Sequence, residues 1–232
     1  MIDSVRSTVL SILNKDNRGS ITPDEFNLYA KTAQIEIFEQ YFYDYSIAVN
    51  KMNRMLYSSG HSDIPARLEE VIDFFTDRTT LQYDNISNRF IIPNNTYKLG
   101  TIIYNDTTEL EIVSNNKIYN LISSLDTAPD VGCPAGVIYG NEVKVYPTTI
   151  TSSVISLRTR YPADPKWTYE LFSAGEPLFN QSASDYQDFE IPKDDFYNLV
   201  SKICQYAGVQ IREPQVVQFA KSDEVQEKQE QK

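Results

Sequence analysis

The sequence NKDNRGSITPDEF, residues 14–26, determines how the N-terminal part of the chain folds. Its spacing follows in part that of a calcium-binding EF-hand loop, where oxygen ligands stand at positions 1, 3, 5, 9 and 12 and glycine at position 6. Counted from Asn14, Asp16 takes the third position, Gly19 the sixth and Glu25 the twelfth. Asp16 and Glu25 are therefore the weak metal-ligand candidates of this chain.

The charges of the same segment argue against a metal. Asn14 at the first position is a neutral amide, and Arg18 at the fifth is a cation without an acceptor atom. The end of the segment instead matches a helix start, with Thr22 as the N-cap, Pro23 in the first helical position and Glu25 closing a capping box. We therefore predict a turn between two helices and expect no cofactor. A calcium-binding helix–loop–helix interaction module is the alternative.

A long helix is predicted from Pro23 to Leu56. Apolar residues recur in it at steps of three and four, which is the spacing of one buried helix face. Phe38, Phe42 and Tyr43 lie off this face, so the middle of the helix is apolar on more than one side. A neighbouring subunit is the simplest cover for these three residues, although a second layer of the same domain would also serve. We predict that they lie at a subunit interface.

The composition limits the classes of function. The chain has 232 residues and a net charge of −11, so its general surface does not bind duplex DNA nonspecifically, although it could line a channel through which DNA passes. The 16 tyrosines favour surfaces that meet partners. Two distant cysteines, Cys133 and Cys204, predict reduced thiols in a reducing cytoplasm. Neither a signal peptide nor a membrane span is expected.

The helical pattern gives way to β-prone runs after about residue 80. β-branched and aromatic residues alternate there with breaks rich in Asn, Asp and Gly, and Asn105-Asp106 and Gly140-Asn141 predict hairpin turns. We predict an α+β fold. Its helical body comprises residues 1–77 and 192–211, and a mainly antiparallel β-rich insertion comprises residues 80–191.

The C-terminal region is predicted to be a helix followed by an extended arm. The helix starts at Pro192–Asp195 and is capped by Gly208, and a short strand at Phe189–Ile191 precedes it. Residues 212–232 are mostly polar and cannot bury enough apolar surface to fold alone. The apolar residues of this arm, predicted to dock on a partner, are Val216, Val217 and Phe219.

Residues with catalytic chemistry are sparse. The chain has one histidine, His61, in a loop rich in Ser and Gly. It lacks a glycine loop for phosphate and a His/Cys cluster for a metal. We therefore expect no enzymatic activity and assign no catalytic residue.

The sequence RTRYPADPKW, residues 158–167, is the most distinctive segment of the C-terminal half. Two prolines fix the backbone after a predicted strand, and the one tryptophan of the chain, Trp167, ends the run. A packed structural corner is the favoured interpretation. Arg158, Arg160 and Lys166 also form the one basic cluster of an acidic chain. With Trp167, they are candidate contacts for an acidic partner, another copy of the chain, or DNA in a channel.

Three segments together carry a resemblance to a known family. They are Asn14–Phe26 with its continuation to Asn50, the run Gly140–Trp167 with its Val-Tyr-Pro and Tyr-Pro-x-x-Pro-x-Trp motifs, and Phe189–Phe219. Their order resembles the head–tail connector or ring (tail adaptor) structural proteins in the virions of short-tailed crAss-like phages. The resemblance covers most of the chain.

The resemblance implies a function in assembly. A ring of about a dozen copies would lie below the portal protein, and DNA would pass through its channel without sequence-specific binding. The C-terminal segment would reach a neighbouring tail or ring protein. Such proteins are assembled in the host cytoplasm, reside in the virion and bring no catalytic residues. From the residues alone, a monomeric β domain that binds carbohydrate or protein is a further alternative.

Overall fold

The structure, a computed structural model, combines helices with mostly antiparallel strands, which confirms the predicted α+β class. It describes residues 1–13, 21–53, 63–171 and 177–211. The helices in these ranges are α1 (Ile2–Leu13), α2 (Pro23–Asn53), α3 (Asp63–Asp73), α4 (Asn115–Ser123) and α5 (Phe196–Ile211).

The chain forms two compact units. The β unit is Ile72–Tyr161, and the helical unit consists of the described residues of Met1–Val71 and Pro162–Lys232. The β unit is therefore an insertion in the helical unit, but it differs from the predicted 80–191 at both ends. It is shorter at its C-terminal end because the chain from Pro162 onward belongs to the helical unit.

The helical unit is organised around α5, which packs against both α1 and α2. The apolar faces of the three helices supply its core, as the helical spacing predicts. The buried residues on these faces include Val5, Val9, Ala30, Ala33, Ile37, Leu199, Ile203 and Ala207. A two-stranded hairpin of β10 (Tyr169–Leu171) and β11 (Pro177–Phe179) completes the unit.

The β unit contains two sheets. The first has the order β1-β9-β4-β5, and the second has the order β2-β3-β8-β7-β6. All pairs are antiparallel except β6 with β7, which are parallel. The strands are β1 (Thr76–Thr80), β2 (Gln82–Asp84), β3 (Arg89–Ile91), β4 (Thr96–Tyr104), β5 (Thr108–Glu109), β6 (Glu111–Ile112), β7 (Ala135–Tyr139), β8 (Glu142–Tyr146) and β9 (Val154–Arg160).

Apolar side chains from both sheets meet in one cluster of the β unit. Ile102 and Val154 of the first sheet and Phe90 and Val143 of the second are among its buried members. A smaller cluster joins α4 to the second sheet through Ile118 and its neighbours. Both of these apolar clusters are made of residues from within the β unit.

Both predicted hairpin turns are confirmed. Asn105 and Asp106 have φ angles of 50° and 61°, the left-handed pair of a tight turn between β4 and β5. Gly140 has a φ of 62° between β7 and β8 and has open space around it. Left-handed backbone is accessible to glycine and least costly otherwise for Asn and Asp.

Three predicted element boundaries are wrong. The first part of the helical body is predicted to reach residue 77, but α3 ends at Asp73, because the chain pairs with β9 as β1 from Thr76 onward. Gly208 does not cap α5, which continues to Ile211 with Gly208 buried inside it. No strand forms at Phe189–Ile191, where Phe189 and Ile191 are instead buried without strand pairing. The predicted end of the long helix at Leu56 lies outside the described residues.

None of the helices in the described part of the chain is both long enough and apolar enough to cross a membrane.

Candidate functional site

The capping box at the start of α2 occupies the carboxylate of Glu25. The backbone N–H of Thr22 donates to Glu25 Oε2 at 2.8 Å, and the Thr22 hydroxyl donates to the same oxygen at 2.8 Å. In return, the N–H of Glu25 donates to Thr22 Oγ1 at 3.3 Å. Asp16, the other weak metal candidate, lies outside the described residues. Within the described ranges, no group of three or more His, Cys, Asp or Glu side chains could hold a metal ion.

The three predicted interface residues of α2 have different environments. Phe38 is fully buried and packs edge-on against Phe42, with ring centroids 5.0 Å apart. Placing Phe38 at a subunit interface is therefore wrong, because the chain itself covers its ring. Phe42 is half-buried, and Tyr43 is 66% exposed. Tyr43 is thus the one of the three with most of its surface free to meet a partner.

The predicted basic cluster is dispersed by internal pairing. Arg158 is only 5% exposed, so its assignment as a contact residue is wrong. Its guanidinium donates to Asp77 Oδ2 at 3.1 Å and to Asn95 Oδ1 at 2.7 Å. Thr79 and Thr96 accept further hydrogen bonds from it. The Arg158 guanidinium is therefore paired with side chains inside the β unit.

The other two cations of that cluster are also engaged within the chain. Arg160, half-buried at the end of β9, donates to the carbonyl of Tyr161 at 3.5 Å. Lys166 belongs to the helical unit and forms an exposed ion pair with Asp185. This pair lowers the pKa of Asp185. Each of the three cations therefore has a partner within its own unit.

Trp167 is a buried corner of the helical unit. It is 2% exposed, and its indole Nε1 donates to Asp3 Oδ1 at 3.0 Å. The Arg6 guanidinium carbon lies 3.9 Å from the indole ring centroid, a cation–π contact. Tyr169 stacks on the ring with centroids 5.7 Å apart. The assignment of Trp167 to a subunit interface is wrong, and its environment agrees with a packed structural corner.

The same corner is held by an amide side chain of α2. Asn27 accepts from the backbone N–H of Trp167 at 2.8 Å and donates to its carbonyl oxygen at 3.2 Å. Gln34 acts in a similar way, donating to the Ala163 carbonyl at 2.7 Å and accepting from the Glu190 N–H at 3.0 Å. Sequence reasoning missed both amides, because a polar residue on a helix gives no sign of the loop it will meet.

Further polar contacts join α2 to α5 and to Asp195, the residue directly before α5. Lys202 is buried, and its ammonium donates to Glu36 Oε1 at 2.9 Å, while the Tyr206 hydroxyl donates to the other carboxylate oxygen. The Tyr41 hydroxyl donates to Asp195. Burial, reinforced by the neighbouring carboxylate, raises the pKa of Tyr41 far above its ordinary value. A phenol held in this state does not act as a base near neutral pH.

The buried thiol of Cys204 is also unreactive. Burial raises its pKa to about 11, so the thiol stays protonated at neutral pH. Because the thiolate is the reactive form of cysteine, Cys204 is a packing residue of α5. Cys133 is exposed.

Among the described residues, the candidates for contact with a partner are exposed apolar and tyrosine side chains. They are not clusters of titratable groups. Tyr43 lies on α2, Tyr119 on α4 and Tyr197 on α5, and each has most of its surface exposed. Ile86, at the tip of the β2–β3 hairpin, is 93% exposed. The predicted docking-arm residues Val216, Val217 and Phe219 lie outside the described residues.

No protein-family model matches the chain. No curated protein matches its sequence either.

Proposed function

We propose that the chain is a non-enzymatic structural protein of a phage virion, a head–tail connector or tail adaptor subunit. Copies of it form a ring below the portal protein, and DNA passes through the central channel. Three sequence segments, in an order that resembles such proteins of short-tailed crAss-like phages, support this proposal. The expected partners are other copies of the chain, the portal protein and neighbouring tail or ring proteins.

The observation that carries the proposal is the exposed apolar surface of α2. Its buried face already fills the core, yet Leu28, Tyr43 and Met52 each keep about half or more of their surface exposed. Large apolar and tyrosine side chains that stay exposed on a folded chain are suited to contact another protein. Such side chains are explained if a neighbouring subunit covers them in an assembly.

The charge of the chain supports the DNA channel. A net charge of −11 repels phosphate, so DNA moving along the protein is not held by it. The internal contacts of Arg158, Arg160 and Lys166 support the same point, because a cation paired within the chain is less available to phosphate.

The proposal is tested on particles and on the purified chain. Antibody-gold labelling of native virions should mark the junction of head and tail, and negative-stain images of the chain with portal-bearing heads should show added ring density. Tyr43→Ser should weaken that incorporation, whereas Ile86→Ser, a matched exposed site on the β unit, should not. Particles that carry the chain elsewhere, or not at all, would overturn the proposal.

Calcium binding is the alternative for the helical unit. The carboxylate of Glu25 is used by the capping box, so a metal would have to break that contact. Calorimetric titration decides: micromolar calcium binding that Asp16→Ala abolishes would favour the calcium module. A monomeric β-domain binding protein is the other alternative, and particles that lack the chain would favour it.

A further inference from the structure

β1 is an open edge of the first sheet. It pairs with β9 along one side, and no strand of the described residues lies along the other. The pairing is regular over five residue pairs, from Thr76 opposite Thr159 to Thr80 opposite Ile155, with no bulge. A regular edge of this length is a template for a further strand.

The other sheet edges of the β unit are protected by being short. β5 and β6 have two residues each, and β2 has three. Proteins commonly protect longer edges with a bulge, a proline or a charged side chain. β1, with five residues, has neither a bulge nor a proline. It is the most accessible edge for pairing in the described part of the β unit.

The charges on β1 do not protect it either. Asp77 is ion-paired with the buried Arg158, and Arg78 is ion-paired with Asp106. Each charge thus has a partner within the β unit and does not prevent an uncharged strand from pairing, although the exposed Arg78 still repels an arginine placed directly opposite it. The remaining side chains of the strand are threonines, which favour extended backbone.

The free backbone groups of β1 can be assigned from its ladder. Phe75 O accepts from the Arg160 N–H at 3.0 Å, and the Leu81 N–H donates to Val154 O at 2.8 Å, so odd-numbered residues bond to β9. Alternate residues of an antiparallel strand direct their N–H and C=O groups to opposite sides. Thr76, Arg78 and Thr80 therefore present theirs to the open side, and their side chains are exposed.

A second β1 is a poor occupant of this edge. In a symmetric antiparallel pair centred on the strand, Arg78 would lie directly opposite Arg78 of the other copy. Like charges in that position destabilise a sheet. The occupant should instead be an extended, uncharged segment with residues that favour a strand.

We propose that the segment Gln215–Ala220 of a second copy adds to β1 as a further strand. Its sequence QVVQFA has no charge and contains two valines and a phenylalanine, which favour strands. Pro214, directly before it, lacks an N–H and marks where pairing can begin. The edge of one copy and the segment of the next form a heterologous contact, the kind that closes a ring.

The sequence between α5 and this segment is short. α5 ends at Ile211, so three residues separate it from Gln215 and give a leash of roughly 14 Å when extended. A short leash restricts where the strand of the second copy can add and so favours one ring geometry. The inference rests on the proposed ring and names one contact that would hold neighbouring copies together.

The test uses a pair of substitutions at one position. Arg78→Pro removes the backbone N–H that residue 78 directs to the open side of β1. The hydrogen bonds between β1 and β9 are kept, because residue 78 donates none of them. Arg78→Ala removes the same side chain and ion pair but keeps the N–H. A labelled peptide of residues 212–222 is titrated onto the chain ending at Ile211, with fluorescence anisotropy as readout and thermal melting as the check on folding.

The peptide should bind the unsubstituted chain ending at Ile211 and its Arg78→Ala variant with similar affinity. Arg78→Pro should weaken binding by more than about tenfold. Equal binding to a folded Arg78→Pro, or no binding to the parent, would overturn the inference. Rings at the head–tail junction without peptide binding would leave the proposed function intact. Peptide binding without virion incorporation would refute the function alone.

A cross-link distinguishes a second copy from the same chain. With Cys133 replaced by serine, Thr80→Cys and Gln218→Cys are combined in one full-length chain and oxidised. Disulfide-linked dimers and higher species on a non-reducing gel are expected. A cross-linked monomer as the sole product would show that the segment pairs within its own chain and would overturn the proposal.

Discussion

The guanidinium of Arg158 is held by four side chains, of which Asp77 alone carries a charge. Moving a cation out of water is costly, and it is tolerated where its donors are matched by acceptors. Asn95 and Thr96 supply such acceptors from one neighbour of β9, and Asp77 supplies another from β1. The residue therefore ties three segments of the β unit together.

Loss of Arg158 should destabilise the β unit without a direct effect on assembly. Arg158→Ala leaves the carboxylate and three polar side chains without their donor, and we expect a loss of about 2–4 kcal/mol in the free energy of unfolding. Lys98→Ala, which removes the same charge from an exposed position of β4, is the control. Urea denaturation of both variants measures the difference, and equal midpoints would contradict this role.

Asp188 should make the helical unit sensitive to acid. Burial alone would raise the pKa of Asp188, but hydrogen bonds from the N-terminal ammonium group and the N–H groups of Ile2 and Phe189 lower it below its ordinary value. A carboxyl with a lowered folded pKa stabilises the fold above its unfolded pKa of about 3.9. That contribution is lost as the pH falls through the lowered pKa.

Asp188→Asn should therefore reduce stability at pH 7, by about 0.5–1 kcal/mol because solvent screens this partly exposed carboxylate, and much less near pH 2. Urea midpoints of the parent and the variant, measured across this range, should converge as the pH falls. Asp185→Asn, at an exposed ion pair, should show little change. If the difference in urea midpoint between the parent and Asp188→Asn stayed the same at every pH, it would contradict the link between stability and the lowered pKa of Asp188.

Among the helices and strands, the sequence correctly predicted the features that depend on residues close to one another in the chain. The capping box, the helical periodicity of α2 and the two hairpin turns depend on residues close in sequence, and each is found where expected. β1 was missed because Thr76–Thr80 contains no apolar residue and therefore no alternating pattern. It is a strand because β9, distant in sequence, pairs with it.

The misassigned interface residues have two physical causes. A helix as long as α2 meets different neighbours along its length, so its buried face is wider than one stripe and includes Phe38. The covers of Trp167 and Arg158, by contrast, come from segments far away in the sequence, such as Asp3 and Asp77. Sequence periodicity contains no information on such distant contacts.

The close approach of β4 to β9 at Gly100 should not tolerate a side chain. A Cβ there would lie 2.7 Å from the carbonyl oxygen of Leu157, a backbone atom that cannot move without distorting the pair. Gly100→Ala should cost about 1–3 kcal/mol. Gly132→Ala is the matched control, since its nearest contact is a side-chain oxygen of Asp130 at 3.5 Å. Thermal unfolding of both variants checks this, and equal melting temperatures would contradict it.

At the scale of the whole molecule, the two units differ in how their sequence is arranged. The β unit is continuous, whereas the helical unit is assembled from segments on either side of it. Both sheets and both apolar clusters of the β unit consist of residues within Ile72–Tyr161. The helical unit needs α5 from the second segment to cover α1 and α2.

Residues 72–161 should therefore fold on their own. The fragment should unfold in one cooperative thermal transition and give dispersed amide signals in an NMR spectrum, because it keeps its complete core. The fragment 1–71 lacks α5 and should show no such transition. A non-cooperative melt of the 72–161 fragment would mean that its core depends on the helical unit.

The insertion also imposes an order on folding during synthesis. α1 and α2 leave the ribosome first, yet α5, which covers them, emerges only after the whole β unit has been translated. Phe38 and Ile37 must therefore stay accessible to chaperones while the inserted unit can already fold. α1 and α2 are thus made before the β unit, and a nascent chain that stalls before α5 would leave their apolar faces uncovered.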